Sequence, residues 1–357
     1  MSRAGIHKIA EVAGVSIGTV DRALHSRPGI SAATRQRILR VAKRLNYTPH
    51  PAARALSIGR AHLRIGVCIP KEIHFYYDHM RAGIFEEAER AGGHVLEIVY
   101  RPVPALGESE EKQMSVLLAS KVNGLILTPG NPRIVTPLIN RAEAANIRVI
   151  CTTTDAPRSR RSSVVAVDPG LSGRLAAELM SKFVPPGSET AVMTGMLSTE
   201  EHRQKAEGFR SGFEKDCPGG RVVAVVEAHE SAQESFKKTL ALLGEHPRIA
   251  GIYVSTVNCL PVCRALRRRN LAGKVRLITT DLFPQMIPHL ERSTIHASVY
   301  QHPYLQGQTA VRMLLDSLTK GTPIPQAFYI NPGVVLHSNL NLFREASLSA
   351  NGKRPRS

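Results

Sequence analysis

No apolar run in this chain approaches the ~20 residues that span a bilayer. The opening MSRAGIHKIA also lacks the continuous apolar stretch of a secretory signal. Neither GxGxxG nor GxxxxGK[ST] occurs, so the phosphate-cradling loops of dinucleotide and nucleotide enzymes are not expected. Five cysteines (Cys68, Cys151, Cys217, Cys259, Cys263) form no CxxC and read as small core residues of a reduced, cytoplasmic protein. Cys259 and Cys263 fall four apart on a predicted helix, but two ligands do not make a zinc site. The 14 histidines are scattered without ligand spacing. No metal and no cofactor are expected.

Acidic residues are scarce as well, 29 against 47 Lys and Arg, for a net charge of +18. The shortage is concentrated at one end. The first 62 residues hold 11 Lys and Arg against only Glu11 and Asp21, a net of +9, and the other 295 residues share the remaining +9. A dense basic segment suits a phosphate-facing module, because each neutralised phosphate releases counterions. The plainer alternative is a solvated basic face.

What the basic segment does contain decides between them. In IHKIAEVAGVSIGTVDRAL (residues 6–24), Ile6, Ile9, Ala10 and Ala13 repeat at helical spacing. Gly14 supplies a permissive turn, Ser16 an N-cap, and Val20, Ala23 and Leu24 a second buried stripe. Two short helices on so tight a turn match the helix-turn-helix, whose second helix enters the DNA major groove. A third helix capped by Ser31 follows, with Ile38, Val41, Ala42 and Leu45 inward and Arg35, Gln36, Arg40, Lys43 and Arg44 elsewhere on its surface. Asn46-Tyr47-Thr48-Pro49 ends it.

The order I-x-x-x-A-x-x-AGVS-x-x-TV-x-R-x-L, then T-R-x-R-I, then N-Y-x-P-x-x-x-AR-x-L, resembles the lactose-repressor family of bacterial transcription regulators. It is carried here by Ile6, Ala10, Ala13-Gly14-Val15-Ser16, Thr19-Val20, Arg22, Leu24, Thr34, Arg35, Arg37, Ile38, Asn46, Tyr47, Pro49, Ala53-Arg54 and Leu56. The resemblance implies DNA contacts from Ser16, Ile17, Gly18, Thr19, Arg22 and Tyr47. It also implies a hinge helix over residues 51–58, with Ala53, Arg54 and a minor-groove wedge at Leu56. Three positions depart from the family pattern: Gly5 for threonine or serine, Asp21 for serine, and His50 for asparagine. Ile17 and Gly18 offer no hydrogen-bonding side chain to a base; Ile17 suits a thymine methyl and Arg22 a guanine.

From residue 63 strands and helices alternate. LRIGVCI, HVLEIVY, VNGLILT, IRVICTT, SVVAVD, TAVMTG, VVAVVEA, IAGIYVS and VRLITTD each precede a segment with helical patterning. Capping boxes are expected at Ser198-Thr199-Glu200-Glu201 and Ser231-Ala232-Gln233-Glu234. Repeated βα units predict doubly wound parallel sheets with ligands at the strand carboxyl ends. So many strands exceed an ordinary sheet and predict two lobes. The expected fold is α/β: an all-α helix-turn-helix domain (1–50), a hinge (51–61), and a two-lobed, periplasmic-binding-protein-like domain for effector and dimerisation (62–343). A disordered tail is expected over 344–357.

The strand-end segments hold the candidate effector groups. His74-Phe75-Tyr76-Tyr77 resembles the Asn-Pro-Phe-Phe loop of ribose-type binding proteins, whose aromatic faces suit a sugar ring. Asp155, Asp281 and Gln301 close strands; Arg203, Lys205 and Asn258 lie at or beside positions the family gives to the effector. Lys205 and Ala156 stand where arginines are usual, so ribose need not be the ligand. Asp155 and Asp281 could equally be ordinary loop or cap residues.

The expected function is a DNA-binding transcriptional regulator, a repressor, controlled by a monosaccharide or derivative. It would bind double-stranded palindromic DNA as a homodimer, because a palindrome needs two-fold symmetry. The alternative is an enzyme acting on a small sugar-like substrate on the same scaffold. Gly14-Val15-Ser16-Ile17-Gly18 spells GxSxG, but a nucleophile elbow must follow a strand, and this string follows a helix.

Overall fold

The computed structural model describes residues 6–24, 28–45, 63–92 and 96–343, and the chain divides into two compact units, Met1–Ala61 and His62–Ser357. The expected hinge over 51–58 and tail over 344–357 lie outside the described residues, as do Tyr47, Ala53, Arg54 and Leu56. Among the described residues no helix is long and apolar enough to cross a membrane, and no cluster of His, Cys, Asp or Glu could hold a metal ion.

The first unit has three helices, α1 (Ile6–Ala13), α2 (Ile17–Leu24) and α3 (Ala32–Arg44). Gly14 sits at φ 62°, the left-handed backbone that lets Val15 N–H reach the Ala10 carbonyl and close α1 within one residue. Ser16 Oγ accepts the Thr19 amide at 3.2 Å and Ser31 Oγ the Thr34 amide at 3.1 Å, so both expected caps form. Ile9, Ala13, Val20, Ala23, Ile38 and Ala42 meet in one small core. Ile9 and Ile38 are fully buried, each contributing roughly 1.5–3 kcal/mol.

The larger unit is built from two six-stranded sheets. In the first lobe the strands are β1 (Leu63–Cys68), β2 (Leu96–Tyr100), β3 (Gly124–Leu127), β4 (Arg148–Thr152), β5 (Ser163–Ala166) and β11 (Ala327–Tyr329), in the order β11-β5-β4-β3-β1-β2, all parallel. In the second they are β6 (Glu189–Thr194), β7 (Arg221–Glu227), β8 (Ile249–Val254), β9 (Arg276–Thr280), β10 (Ala297–Tyr300) and β12 (Gly333–Val335). Their order is β12-β10-β9-β8-β6-β7, with only β12 antiparallel. Each sheet is covered on both faces by apolar clusters, which is why its strands read as continuous hydrophobic runs.

The chain passes between lobes three times, after β5, after β10 and between β11 and β12. Three short crossings form a hinge. Helices α4 (His74–Ala91) and α12 (Pro303–Lys320) pack together on the first lobe, and α7 (Pro169–Phe183) and α8 (Glu200–Asp216) on the second. Both pairs approach through glycine. A Cβ on Gly83 would strike the Tyr304 carbonyl, and one on Gly173 the Lys205 carbonyl, so only glycine lets these helix backbones meet.

The structure corrects the sequence reading in four places. No helix lies between β4 and β5; a turn at Ala156–Ser159 and an Asp155–Arg161 ion pair organise that loop instead. The helix after β1 begins at His74, so Tyr76 and Tyr77 occupy its first turn and not a loop. Ser231 Oγ accepts the Glu234 amide, but the Glu234 carboxylate bonds His229 and Lys238, leaving the box half made. Thr199 stands at the N-cap of α8 without a capping bond and donates to the Gly130 carbonyl of the other lobe.

Candidate functional site

On the first unit, Ser16, Ile17, Gly18 and Arg22 are exposed along the start and outer side of α2, and Thr19 is half-buried with its hydroxyl 2.9 Å from Ser16 Oγ. Ile17 is 43 % exposed, an apolar side chain presented to solvent. Such a face suits groove contact.

In the larger unit the carboxyl ends of the strands converge on a small polar cavity. From the first lobe come Tyr76 and Tyr77 on α4 and Thr153 beyond β4. From the second come Glu201, His202 and Lys205 on α8, Glu230 beyond β7, Ser255 beyond β8, Asp281 beyond β9 and Gln301 beyond β10. Lys205 is fully buried. Its ammonium pairs with Glu201 and donates to Gln301 Oε1 at 3.0 Å and the Ser255 carbonyl at 3.3 Å. Burial opposes that charge most strongly, but Glu201, Tyr253 and Asp281 together outweigh it and hold the lysine above its ordinary range. Asp281 accepts the Gln301 amide at 3.0 Å and Gln301 Nε2 at 2.8 Å, while burial pushes its carboxyl up to about 6. Burial likewise raises Glu230 and, strongly, Tyr76 and Tyr77.

Gln306, in the first turn of α12, ties the lobes at this point. Its Nε2 donates to Tyr76 Oη at 3.0 Å and to the Gln301 carbonyl at 2.9 Å, and its Oε1 accepts the Thr153 amide at 3.0 Å. Across the cleft, Glu201 N–H donates to Thr154 Oγ1 at 3.3 Å, and Phe75 stacks on Phe283 at 4.5 Å. Four of the lining residues hold left-handed backbone, Ile73 at φ 59°, Thr153 at 67°, Glu230 at 54° and Asp281 at 64°. For β-branched Ile73 and Thr153 this costs roughly 1–2 kcal/mol each, and such strain clusters where side chains must be aimed.

The cavity measures about 30 Å³. Small-molecule pockets run roughly 300–1,000 Å³. The lobes are therefore closed on one another, and a ring-sized ligand enters only if they part.

Of the candidate effector residues, Tyr76, Tyr77, Lys205, Asp281 and Gln301 come together around this cavity. The others do not. His74 is exposed, 3.5 Å from Asp78, on an adjoining groove of about 630 Å³. Asn258 shares that groove and donates to Glu230 at 2.8 Å, acting on the cavity from behind. Asp155 is taken by Arg161. Arg203 pairs with Glu200 and Glu207 on the outer side of α8. The reason is helical geometry: at about 100° per residue, Glu201 and Lys205 share a face, and residue 203 lies opposite. The same spacing would have found Glu201 and His202 once Lys205 was chosen. Glu230, Thr153, Ser255 and Gln306 carry no comparable signal.

Two doubly wound lobes joined by three crossings, with a polar strand-end cleft between them, define a ligand-binding module. The chain belongs to the periplasmic binding protein domain family, which matches residues 65–322, and its residues 5–50 match the bacterial regulatory proteins of the lacI family. It is a DNA-binding transcriptional regulator. The catabolite control protein A of Priestia megaterium is 23 % identical over 331 residues, covering 89 % of this chain and 93 % of its own. The ribose operon repressor of Halalkalibacterium halodurans is 24 % identical, over 88 % of this chain and 90 % of its own. Among solved structures, a glucose-galactose binding protein of Geobacillus stearothermophilus is 27 % identical and superposes with a TM-score of 0.71, over 78 % of this chain and 99 % of its own.

Proposed function

We propose that this regulator is a cytoplasmic, homodimeric repressor whose affinity for a palindromic operator is set by a monosaccharide or related polyol held between the lobes. We divide it into a DNA-binding domain (1–50), a hinge (51–61), an effector and dimerisation domain (62–343) and a tail (344–357). The observation that carries this reading is the hydrogen-bonded network from Tyr76, Thr153 and Gln306 of one lobe to Gln301, Asp281 and Lys205 at the other. A ligand entering there must rearrange contacts that hold the lobe angle, and a ligand shifts an equilibrium only through differential affinity for its two states. Its carboxylates and amides suit the paired hydroxyls of a sugar.

The effector half of the proposal is tested with Asp281→Asn and Gln301→Ala. Both should lose the sugar response of operator binding while keeping operator affinity without sugar. A normal response in both variants would move the effector elsewhere. Chemical change of the sugar on incubation with the protein would favour an enzyme instead.

The DNA half rests on the exposed cation of α2. Arg22→Ala should weaken operator binding by about 1–3 kcal/mol and relax specificity at one base pair, read by binding to a panel of operator variants. Unchanged affinity would mean that this side chain touches neither base nor phosphate.

A further inference from the structure

The chain carries 47 Lys and Arg against 29 Asp and Glu, yet its cleft is acidic. Glu201, Glu230 and Asp281 line the cavity, and Lys205 is the only lysine or arginine among its described lining residues. His202 adds no countercharge in this geometry. The Met196 amide donates to its Nδ1 at 2.9 Å, so the ring proton sits on Nε2, which lies 3.3 Å from Glu201 and 3.4 Å from Glu230. Lys205 and Glu201 cancel each other. Two buried carboxylates remain over, Glu230 and Asp281, each accepting only neutral donors: Asn258 and His202 for the first, Gln301 for the second. Glu72, also shifted upward by burial, adds a further negative charge on the Glu230 side.

We propose that the effector is a cationic polyol, an amino sugar or aminocyclitol, whose ammonium docks against Glu230, with Asp281 adding to the negative charge of the cavity. The proposal rests on the cleft being the effector site and adds the ligand's charge. A carboxylate has about four lone-pair sites, so both groups keep acceptor capacity for a ligand. Hydroxyl donors would satisfy those lone pairs but leave the excess charge enclosed between the closed lobes. An ammonium removes it, and hydrogen bonds between ionised partners are roughly twice as strong as neutral ones.

The test is calorimetric titration of the full chain, at neutral pH, with D-glucosamine against D-glucose, D-galactosamine against D-galactose, and an inosamine against myo-inositol. At least one amine should bind about tenfold or more tightly than its hydroxyl counterpart. Its N-acetyl derivative, which keeps the nitrogen and loses the charge, should lose that advantage. Glu230→Gln, isosteric and one charge poorer, should shrink the amine's advantage to about threefold or less, with Asp281→Asn as a second variant should the first fail to fold. A hydroxyl sugar that binds as well as its amine, or an N-acetyl derivative that keeps the gain, overturns the proposal while leaving a sugar effector standing. No binding by either member of any pair overturns both.

Discussion

Replacing Lys205 with alanine should lower the unfolding free energy of the larger unit by about 3–5 kcal/mol, the usual cost of stranding one member of a buried ion pair. The partner left behind is Glu201, itself only 4 % exposed, and the ammonium's other acceptors, Gln301 Oε1 and the Ser255 carbonyl, lose their donor. The loss should be recovered in large part by Lys205→Met combined with Glu201→Gln, which removes both charges and keeps the packing volume. Denaturant unfolding of wild type, Lys205→Met, Glu201→Gln and the double variant gives the coupling directly. A loss below about 1 kcal/mol for Lys205→Ala would mean that His202 or solvent neutralises Glu201 without help. Because this ion pair sits in the cleft itself, cleft chemistry and fold stability cannot be varied independently here.

If residues 51–58 order as a hinge helix on DNA, as the lactose-repressor resemblance implies, Leu56→Ala should weaken operator binding tenfold or more while leaving sugar binding unchanged. The lactose-repressor resemblance places Leu56 as a wedge between base steps, and unstacking a step is compensated only if an apolar side chain fills the gap. Residues 51–58 are too few to hold a helix alone, so its folding would draw on DNA and on the partner chain. A change in lobe angle would then alter the spacing of two hinges in the dimer and bias an order–disorder switch, typically by 1–3 kcal/mol. Ala53→Gly should act in the same direction by about 1 kcal/mol, through helix propensity alone. The measurement is operator affinity with and without sugar for wild type and both variants. Full affinity and full response in Leu56→Ala would remove the hinge from the mechanism.

The two units differ in how much of them could be read from the chain. The helix-turn-helix is local: Gly14, the Ser16 and Ser31 caps, and the stripes Ile9-Ala13, Val20-Ala23 and Ile38-Ala42 act within a few residues of themselves, so periodicity and capping chemistry were enough. The βα series was legible for a related reason, since strands buried on both faces must be apolar throughout. Strands β11 and β12 were not. Each is three residues long and exists because a neighbouring edge, β5 or β10, offers it a ladder.

The site divides in the same way. Asp281 and Gln301 stood out because they end strands, and position at a strand's carboxyl end is a property of the sequence. Whether a side chain faces the cleft is not. Asp155 ends a strand equally well, but Arg161 captures it, and Arg203 lies across the helix from Lys205. Thr199 carries a cap signature and spends its hydroxyl on the opposite lobe. Glu230 is brought to the cavity by left-handed backbone and by Asn258, from 28 residues further along the chain. The sequence by itself determined the helix-turn-helix and the βα series, because each follows from short-range pattern, while the number of strands and the lactose-repressor resemblance pointed to two lobes with a cleft. Only the tertiary structure decided the charge of that cleft, because a carboxylate's worth depends on which cation or amide from elsewhere in the chain arrives beside it.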